Sequence, residues 1–119
     1  MVQIVFTPIG ATDMSTLPMP LQLAILGEFQ VLTPDFVDRH PDKFGTVRDG
    51  KRLLYRYRTK DYRIYFEKSE AGLTIRRVLH KNSLKDFLFR SQLPVAEDEV
   101  LQNNPAFWEL IDAPHKKPD

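Results

Sequence analysis

The chain contains no cysteine and only three histidines, and both shortages restrict its chemistry. Without cysteine, disulfide bonds and thiolate metal sites are excluded, which fits a reducing compartment. The histidines, His40, His80 and His115, lie far apart and lack the spacing of metal ligands. A Walker-type phosphate loop and a GxGxxG motif are also missing. We therefore predict a protein that uses no metal and no other cofactor.

Long apolar runs are absent as well, and the first ten residues, MVQIVFTPIG, contain no basic side chain. These absences argue against a membrane span and against a signal peptide, so we predict no membrane association and a cytoplasmic location. The chain has 119 residues, of which 42% are hydrophobic and 28% are charged. Such a length and composition are typical of one domain with a modest core.

The formal net charge of +1 hides a strong asymmetry along the chain. Residues 51–90 contain twelve of the 17 Lys and Arg and four of the 16 Asp and Glu, which is a net charge of +8. Residues 1–50 carry −3 and residues 91–119 carry −4. A basic block between acidic flanks indicates an anionic partner, and RNA or DNA phosphate is the usual one.

Hydrophobic periodicity in the first 41 residues predicts a strand followed by two helices. Residues 2–6 are a β-branched and aromatic run, which is typical of a strand. Residues 21–32 place apolar side chains on one helix face, namely Leu21, Ile25, Phe29 and Leu32. Thr33-Pro34 predicts the start of a shorter helix that ends before Pro41.

The basic block itself predicts three strands. Residues 53–58, 62–67 and 73–80 alternate in polarity, and short turns at Asp49-Gly50 and 59–61 separate them from their neighbours. We predict an α+β fold in which the N-terminal strand and this three-strand meander form an antiparallel sheet, with the two helices packed on one face. Leu54, Arg56 and Arg58 should share the other face.

The C-terminal part predicts short helices. Ser83-x-x-Asp86 resembles a capping box, and residues 95–102 form an acidic segment that we predict to be helical. Asn104-Pro105 opens a last helix with Phe107 and Trp108. We accordingly divide the chain into a main domain, residues 1–93, a helical extension packed on it, residues 94–113, and a loose tail, residues 114–119.

Three phrases of the meander carry a family resemblance: Tyr55-Arg-Tyr-Arg58, Asp61-Tyr-Arg-Ile-Tyr-Phe66 and Val78-Leu-His-Lys81. Their order and spacing, after a strand and two helices, resemble the RelE/ParE superfamily of bacterial toxins from toxin–antitoxin pairs. The resemblance covers about residues 2–91, and the Asp-Tyr-Arg phrase is its most specific part. It implies the fold predicted above and a cognate antitoxin as a partner.

The RelE branch of that superfamily implies a ribosome-dependent mRNA endoribonuclease that inhibits translation. In such a reaction the RNA 2′-OH attacks the adjacent phosphodiester, so the site needs a base, an acid and cations but no metal. The resemblance implies that Arg56 and Arg63 bind phosphate, that His80 transfers protons and that Lys81 adds positive charge. Further RNA contacts are predicted for Arg58, Lys60, Tyr65, Arg76, Lys85 and Phe87.

The sequence departs from the family pattern at several places. Phe87 and Phe89 stand where the ribonucleases often have a tyrosine, and phenylalanine cannot transfer a proton. Lys60 replaces a usual glycine, and Lys81 replaces a usual arginine. Two alternatives therefore stay open: a catalytically silent module that binds protein or nucleic acid through the same face, and a ParE-like toxin directed at gyrase. The oligomeric state stays open too.

Each candidate also has a purely structural reading. Arg56, Arg58 and Arg63 fit the solvated outer face of a half-buried sheet, and His80 fits a structural hydrogen bond at a strand end. The acidic run Glu97-Asp98-Glu99 fits an ordinary helix start, where carboxylates favour the helix dipole. The functional hypothesis for this run is that the extension folds over the basic sheet and restrains the site as an antitoxin would.

Overall fold

The computed structural model describes residues 3–29, 32–69, 72–84 and 97–112. Its strands are β1 Gln3–Phe6, β2 Gly45–Asp49, β3 Arg52–Thr59, β4 Tyr62–Lys68 and β5 Gly72–His80. Its helices are α1 Pro8–Ser15, α2 Met19–Glu28, α3 Pro34–Arg39, α4 Glu97–Gln102 and α5 Pro105–Asp112, with 3-10 turns at Pro41–Lys43 and Lys81–Leu84. The predicted α+β class is confirmed.

The five strands form one sheet in the order β1-β5-β4-β3-β2. Strands β2 to β5 pair antiparallel, as the meander predicts. The N-terminal strand differs in one detail, because β1 pairs parallel with β5, in the register Gln3 to Gly72 and Phe6 to Ile75. Parallel pairing needs a long crossover, and the helices and the meander that lie between these two strands supply it. Strand β2 was not predicted, because Val47 is its only strongly apolar residue.

Helix α1 protects the edge of β5 beyond the end of β1. Thr7 caps α1 by accepting a hydrogen bond from Gly10 N at 3.1 Å, and its hydroxyl donates to the carbonyl of Arg76 at 3.1 Å. The Asp13 carboxylate accepts from Val78 N at 2.9 Å. Gly10 permits this approach, since a Cβ there would lie 2.7 Å from the carbonyl oxygen of Ile75. The exposed backbone of β5 is thus satisfied by the helix.

One face of the sheet, here called the apolar face, packs against α1, α2 and α3. Its fully buried side chains come from both layers and include Ile25, Leu32, Ile64, Phe66 and Ile75. The predicted helix face is confirmed, because Ile25, Phe29 and Leu32 are all buried here. However, α2 ends at Glu28 rather than at residue 32. Thr33 caps α3 as predicted, accepting from Phe36 N at 3.0 Å.

The opposite face, here called the arginine face, is defined by the side chains of Arg52, Arg56, Arg58, Arg63, Arg76 and Arg77. The structural reading as a solvated face is wrong for Arg56 and Arg63, which are largely buried, whereas the Arg58 side chain is 50% exposed. Helices α4 and α5, here called the C-terminal helical pair, cover it and build a second core with Leu101, Phe107 and Ile111. The sheet contributes Val47, Leu54, Tyr65 and Leu79 to this core. The fold therefore has helices on both faces of the sheet.

Several predictions concern residues beyond those described. Outside the described residues lie the helix predicted from Ser83-x-x-Asp86, the candidates Lys85 and Phe87, the boundary at residue 93 and the tail 114–119. Of these, the structure describes only the 3-10 turn that contains Ser83. Within the described part, α4 and α5 confirm the two helical segments predicted for the extension.

Candidate functional site

Strand alternation brings Arg56, Arg58 and Arg63 together on the arginine face. In the antiparallel register Arg58 pairs with Arg63, and Arg56 pairs with Tyr65. Residues directly opposite in such a pair point to the same side of the sheet, so these side chains form one cluster. Three guanidinium groups in one place repel each other and need anionic partners.

Two carboxylates of α4 supply those anions. Arg56 donates from Nε and Nη2 to the two oxygens of Asp98, at 3.1 and 2.7 Å. Arg63 donates from Nε and Nη2 to the two oxygens of Glu97, at 3.1 and 3.3 Å. Arg58 adds a longer contact to Glu97 at 3.7 Å. Both bidentate pairs are largely buried, with side-chain exposures of 11% for Arg56 and 15% for Arg63.

The electrostatics of Arg56 follow from this geometry. Burial by itself lowers the pKa of the guanidinium, because it disfavours the charged form. The hydrogen bonds and charge of Asp98, with the charge of Glu97, outweigh that effect and raise the pKa above its ordinary value. Arg56 therefore stays protonated, and the pair is a charge-assisted one.

Gly45 makes room for the pair between Arg56 and Asp98. It lies opposite Arg56 in the register of β2 and β3. A Cβ on Gly45 would collide with Oδ2 of Asp98 and with Nη2 of Arg56. The atoms it would meet are the ends of flexible side chains, so the ion pair rather than the backbone would have to move. The glycine is thus needed for the contact and not for the strand.

Tyr65 lies at the centre of the arginine face and is completely buried. Its ring meets Phe107 of α5 edge to face, with centroids 5.2 Å apart. Among the described residues, its hydroxyl has no hydrogen-bond partner. Burial raises the pKa of the Tyr65 hydroxyl far above its ordinary value, and the charges of Glu97 and Asp98 add to this rise while Arg56 and Arg63 oppose it. The group is therefore a neutral donor that lacks an acceptor.

A second ionic cluster lies at the other end of the same face. Asp112 of α5 accepts from Arg52 at 2.6 Å and from Arg76 at 3.0 Å, and the hydrogen bond from Arg52 is the main reason why the pKa of Asp112 is lowered. Arg52 also stands over the ring of Trp108, 5.5 Å from its centroid. The indole N–H donates to the carbonyl of Gln102 at 3.0 Å. These contacts hold α5 against β3 and β5.

Arg76 and Arg77 are adjacent in sequence, yet both contact the C-terminal helical pair. The register shifts at Tyr65 and Phe66, where Tyr65 pairs with Arg77 and Phe66 pairs with Ile75. Arg76 is thus the extra residue of a β-bulge. Arg77 donates to the carbonyl of Leu110 and forms a bidentate pair with Asp13 of α1, at 2.7 and 3.1 Å. It links α1 to α5 across the sheet.

His80, Lys81 and Lys60 lie apart from the arginine cluster. His80 pairs with Tyr62, whose ring packs against the apolar face, and the two rings meet edge to face at 5.0 Å. Its Nδ1 accepts from Asn82 N at 3.0 Å. Lys81 contacts Asp61 at 3.3 Å on the surface, and Lys60 is exposed in the turn between β3 and β4. The structure therefore brings together Arg56, Arg58, Arg63 and Tyr65 but not the proposed proton-transfer residue.

Some members of the site were missed by sequence reasoning. Arg52 shares the alternation of Arg56 and could have been found from it. Arg77 could not have been found in this way, because a regular strand would have placed its side chain on the other face of the sheet from Arg76. Gly45 and Asp112 are recognisable only from the packing of the C-terminal helical pair.

Two kinds of feature are absent from the described residues. Among them, no group of three or more His, Asp or Glu side chains is arranged to hold a metal ion. No helix in these ranges is long and apolar enough to cross a membrane.

Comparison with known proteins gives a match in structure. No family model matches the chain, and no curated protein is similar to it in sequence. A chain in the crystal structure of the toxin–antitoxin complex RelBE2 from Mycobacterium tuberculosis matches with a TM-score of 0.51 and 22% sequence identity. The match covers 66% of this chain and 96% of that chain. The protein therefore has a RelE-like toxin fold. About a third of its chain lies outside the part that matches.

Proposed function

We propose that the protein is a RelE-like toxin of a toxin–antitoxin pair, which binds RNA phosphate on the arginine face and cleaves mRNA in the ribosome. The observation that carries the proposal is the pair of bidentate guanidinium–carboxylate contacts at Arg56 and Arg63. Guanidinium groups that hold two oxygens of a carboxylate are also oriented to hold two oxygens of a phosphate. The RelE-like fold adds support, because the matching chain belongs to a toxin–antitoxin complex.

In the proposed reaction the 2′-OH of the RNA attacks the adjacent phosphorus and the 5′-oxygen leaves. Arg56 and Arg63 neutralise the charge that develops on the phosphate oxygens in the transition state. Removal of one such donor typically lowers the rate by about 10²- to 10³-fold. His80 stands at the end of β5 on the side of the apolar face, so RNA must reach around the end of the sheet to use it.

The position of His80 favours a second candidate function, the catalytically silent module. Such a module would bind RNA or an acidic protein through Arg56 and Arg63 without proton transfer. A third function, inhibition of gyrase, has no observation in the structure that favours it. The proposed location is the cytoplasm, where mRNA and ribosomes are present.

The proposed antitoxin needs a contact surface of its own. Helix α2 exposes Met19, Leu23 and Leu26, with exposures of 62%, 61% and 41%. Beside them lies a shallow groove lined by Ile4, Phe6, Leu26 and Phe29, next to the edge strand β1. Contiguous exposed apolar side chains of this kind are typical of protein-binding surfaces.

The test is induced expression of the full chain in a bacterial culture, with growth followed and mRNA 5′ ends mapped in the same samples. The variants are Arg63→Ala, Arg63→Lys and His80→Ala, each checked for its fold by circular dichroism. Arg39→Ala is the matched control, because Arg39 is exposed and pairs with Asp35 on the surface at 3.0 Å.

We expect growth arrest with new 5′ ends in the wild type and in Arg39→Ala. Arg63→Ala should abolish the arrest and the new ends. Arg63→Lys should retain part of the activity, because lysine keeps the positive charge but lacks the two parallel donors of a guanidinium group. Arrest without new ends would indicate gyrase or another target. A folded Arg63→Ala protein with full activity would refute the assignment. No arrest from a folded wild type would favour the silent module or a site that the extension keeps closed.

A further inference from the structure

The arginine cluster is occupied by part of the same chain. Asp98 and Glu97 each present two anionic oxygens to a guanidinium fork, which is the geometry in which arginine also binds phosphate. Both carboxylates come from α4, in the part of the chain that follows the basic block. RNA cannot reach Arg56 or Arg63 while these contacts persist.

The occupant leaves one donor of the site unsatisfied. The Tyr65 hydroxyl is buried beside the two ion pairs and has no acceptor in the part of the chain that the structure describes, although buried polar groups are normally bonded. Asp98 and Glu97 already direct their oxygens at the arginines. A phosphodiester offers two non-bridging oxygens that share one negative charge and also ester oxygens, so it can accept from both guanidinium groups and from a hydroxyl. The site therefore provides more donors than its present occupant uses.

The occupant is held by contacts of two kinds. Leu101, Phe107 and Ile111 are buried against the sheet and anchor α4 and α5 by hydrophobic contact. The two carboxylates add ionic contacts whose arginine partners are the predicted phosphate ligands. Gly45 opens the space in which Asp98 meets Arg56. Another anion can replace the two carboxylates on the arginines. The apolar contacts determine how strongly the displaced helices bind the sheet again.

We propose that the C-terminal helical pair is a built-in competitor of RNA, in which Glu97 and Asp98 take the place of phosphate in a site made by Arg56, Arg63 and the Tyr65 hydroxyl. This inference rests on the proposed function for the identity of the ligand but not for the cleavage step. Displacement of the helical pair opens the site, and return of the helical pair closes it.

Binding of a 5′-fluorescein-labelled 2′-O-methyl oligoribonucleotide, followed by fluorescence anisotropy, tests the competition in the full chain. The 2′-O-methyl groups prevent cleavage, so the assay measures binding alone. The test variant is Glu97→Gln/Asp98→Asn. The control is Glu99→Gln/Glu109→Gln, which removes the same number of negative charges from the helical pair, one from α4 and one from α5. Glu99 and Glu109 are exposed and form no ion pair with the described residues.

We expect the test variant to bind the oligonucleotide at least about tenfold more tightly than the control, because the apparent affinity rises with the fraction of open molecules. Equal affinities of the test variant and its control would overturn the proposal.

Trp108, the only tryptophan in the chain, reports the position of the helical pair. It is 8% exposed in the closed form, so its emission should shift to longer wavelength when the oligonucleotide displaces α5. Tight binding without such a shift would mean that RNA and the helical pair coexist, which contradicts competition.

Tyr65→Phe, made in the Glu97→Gln/Asp98→Asn background, separates a ligand role from a packing role. Removal of the hydroxyl should weaken oligonucleotide binding several-fold while leaving the protein at least as stable, because an unsatisfied buried donor disappears. An unchanged affinity would exclude Tyr65 from the site and overturn that part of the proposal.

The outcomes distinguish this inference from the proposed function. Competition in vitro without new mRNA ends in cells would retain the inference and reject the nuclease. New mRNA ends in cells, with no oligonucleotide binding to any variant, would reject the inference and retain the nuclease.

Discussion

The two faces of the sheet bury comparable apolar side chains but are covered in different ways. On the apolar face, Ile64 and Phe66 meet α1 to α3 mainly through hydrocarbon. On the arginine face, Leu54 and Tyr65 form an apolar floor that arginine–carboxylate contacts surround. Hydrophobic contacts require only complementary shape. An arginine that pairs with one anion, in contrast, can pair with another anion in its place. One face is therefore a permanent core, and the other combines an apolar core with ion pairs, as the proposed competition requires.

The largest expected effect compares one buried phenylalanine from each face. Phe66→Ala should lower the free energy of unfolding by about 3–5 kcal/mol, because a large side chain leaves a cavity in the permanent core. The unfolding midpoints in urea, followed by far-UV circular dichroism and by Trp108 emission, should fall together.

Phe107→Ala removes an equally buried side chain from the arginine face. Here the Trp108 midpoint should fall further than the circular dichroism midpoint, because α5 leaves the sheet before the sheet unfolds. The distinction between the faces would be refuted if both truncations lowered the two midpoints alike.

A smaller effect is expected in the turn between β3 and β4, which belongs to the sheet shared by both layers. Lys60 has φ of 55°, a left-handed conformation that disfavours a side chain. Lys60→Gly should raise the free energy of unfolding by about 0.5–1 kcal/mol, after allowance for the greater freedom of glycine in the unfolded chain.

Both unfolding midpoints of Lys60→Gly should rise by the same amount, since the turn favours neither face. Lys51→Gly is the control, because Lys51 is exposed and does not have a positive φ. Stabilisation by the control, or none by Lys60→Gly, would contradict the explanation from backbone strain.

The smallest expected effect is a dependence on pH that arises on the arginine face. The pKa of Asp112 is lowered from 3.8 in the folded protein, first by its hydrogen bond from Arg52. The folded state therefore binds fewer protons than the unfolded state below about pH 4. The resulting stabilisation is complete above that pH and is lost as the pH falls through the lowered pKa.

Because the Asp112 side chain is 45% exposed, the loss should be about 0.5 kcal/mol or less. It should appear in the Trp108 midpoint as the pH falls below about 4, the ordinary pKa of an aspartate. Asp112→Asn should flatten this part of the profile, and an unchanged profile in that variant would exclude Asp112 as the cause.

Much of the fold was predictable from local pattern. The alternation of Leu53 to Arg58 placed each side chain on its correct face, because a strand has a side-chain period of two. Thr33-Pro34 and Asn104-Pro105 marked two helix starts correctly, because capping acts within three residues. Lys60 was recognised as a departure from a usual glycine, and its positive φ gives the physical reason.

Other features depended on contacts that are distant in sequence. The parallel pairing of β1 with β5, the weakly apolar strand β2 and the bulge at Arg76 follow from the assembled sheet. The distance between His80 and the arginine cluster depends on strand register, which a sequence pattern leaves open. For that reason the sequence pattern left open which of the proposed site residues would lie together.

The sequence by itself determined the α+β class, the basic block and the identity of the arginines, because periodicity and charge are properties of the local chain. The tertiary structure decided what lies on those arginines. Glu97 and Asp98 are more than thirty residues from their partners, and only the packing of α4 against the sheet brings them within hydrogen-bond distance. Whether the basic face is open or closed is therefore a property of the packing, since hydrophobic contacts of α4 and α5 place the carboxylates there.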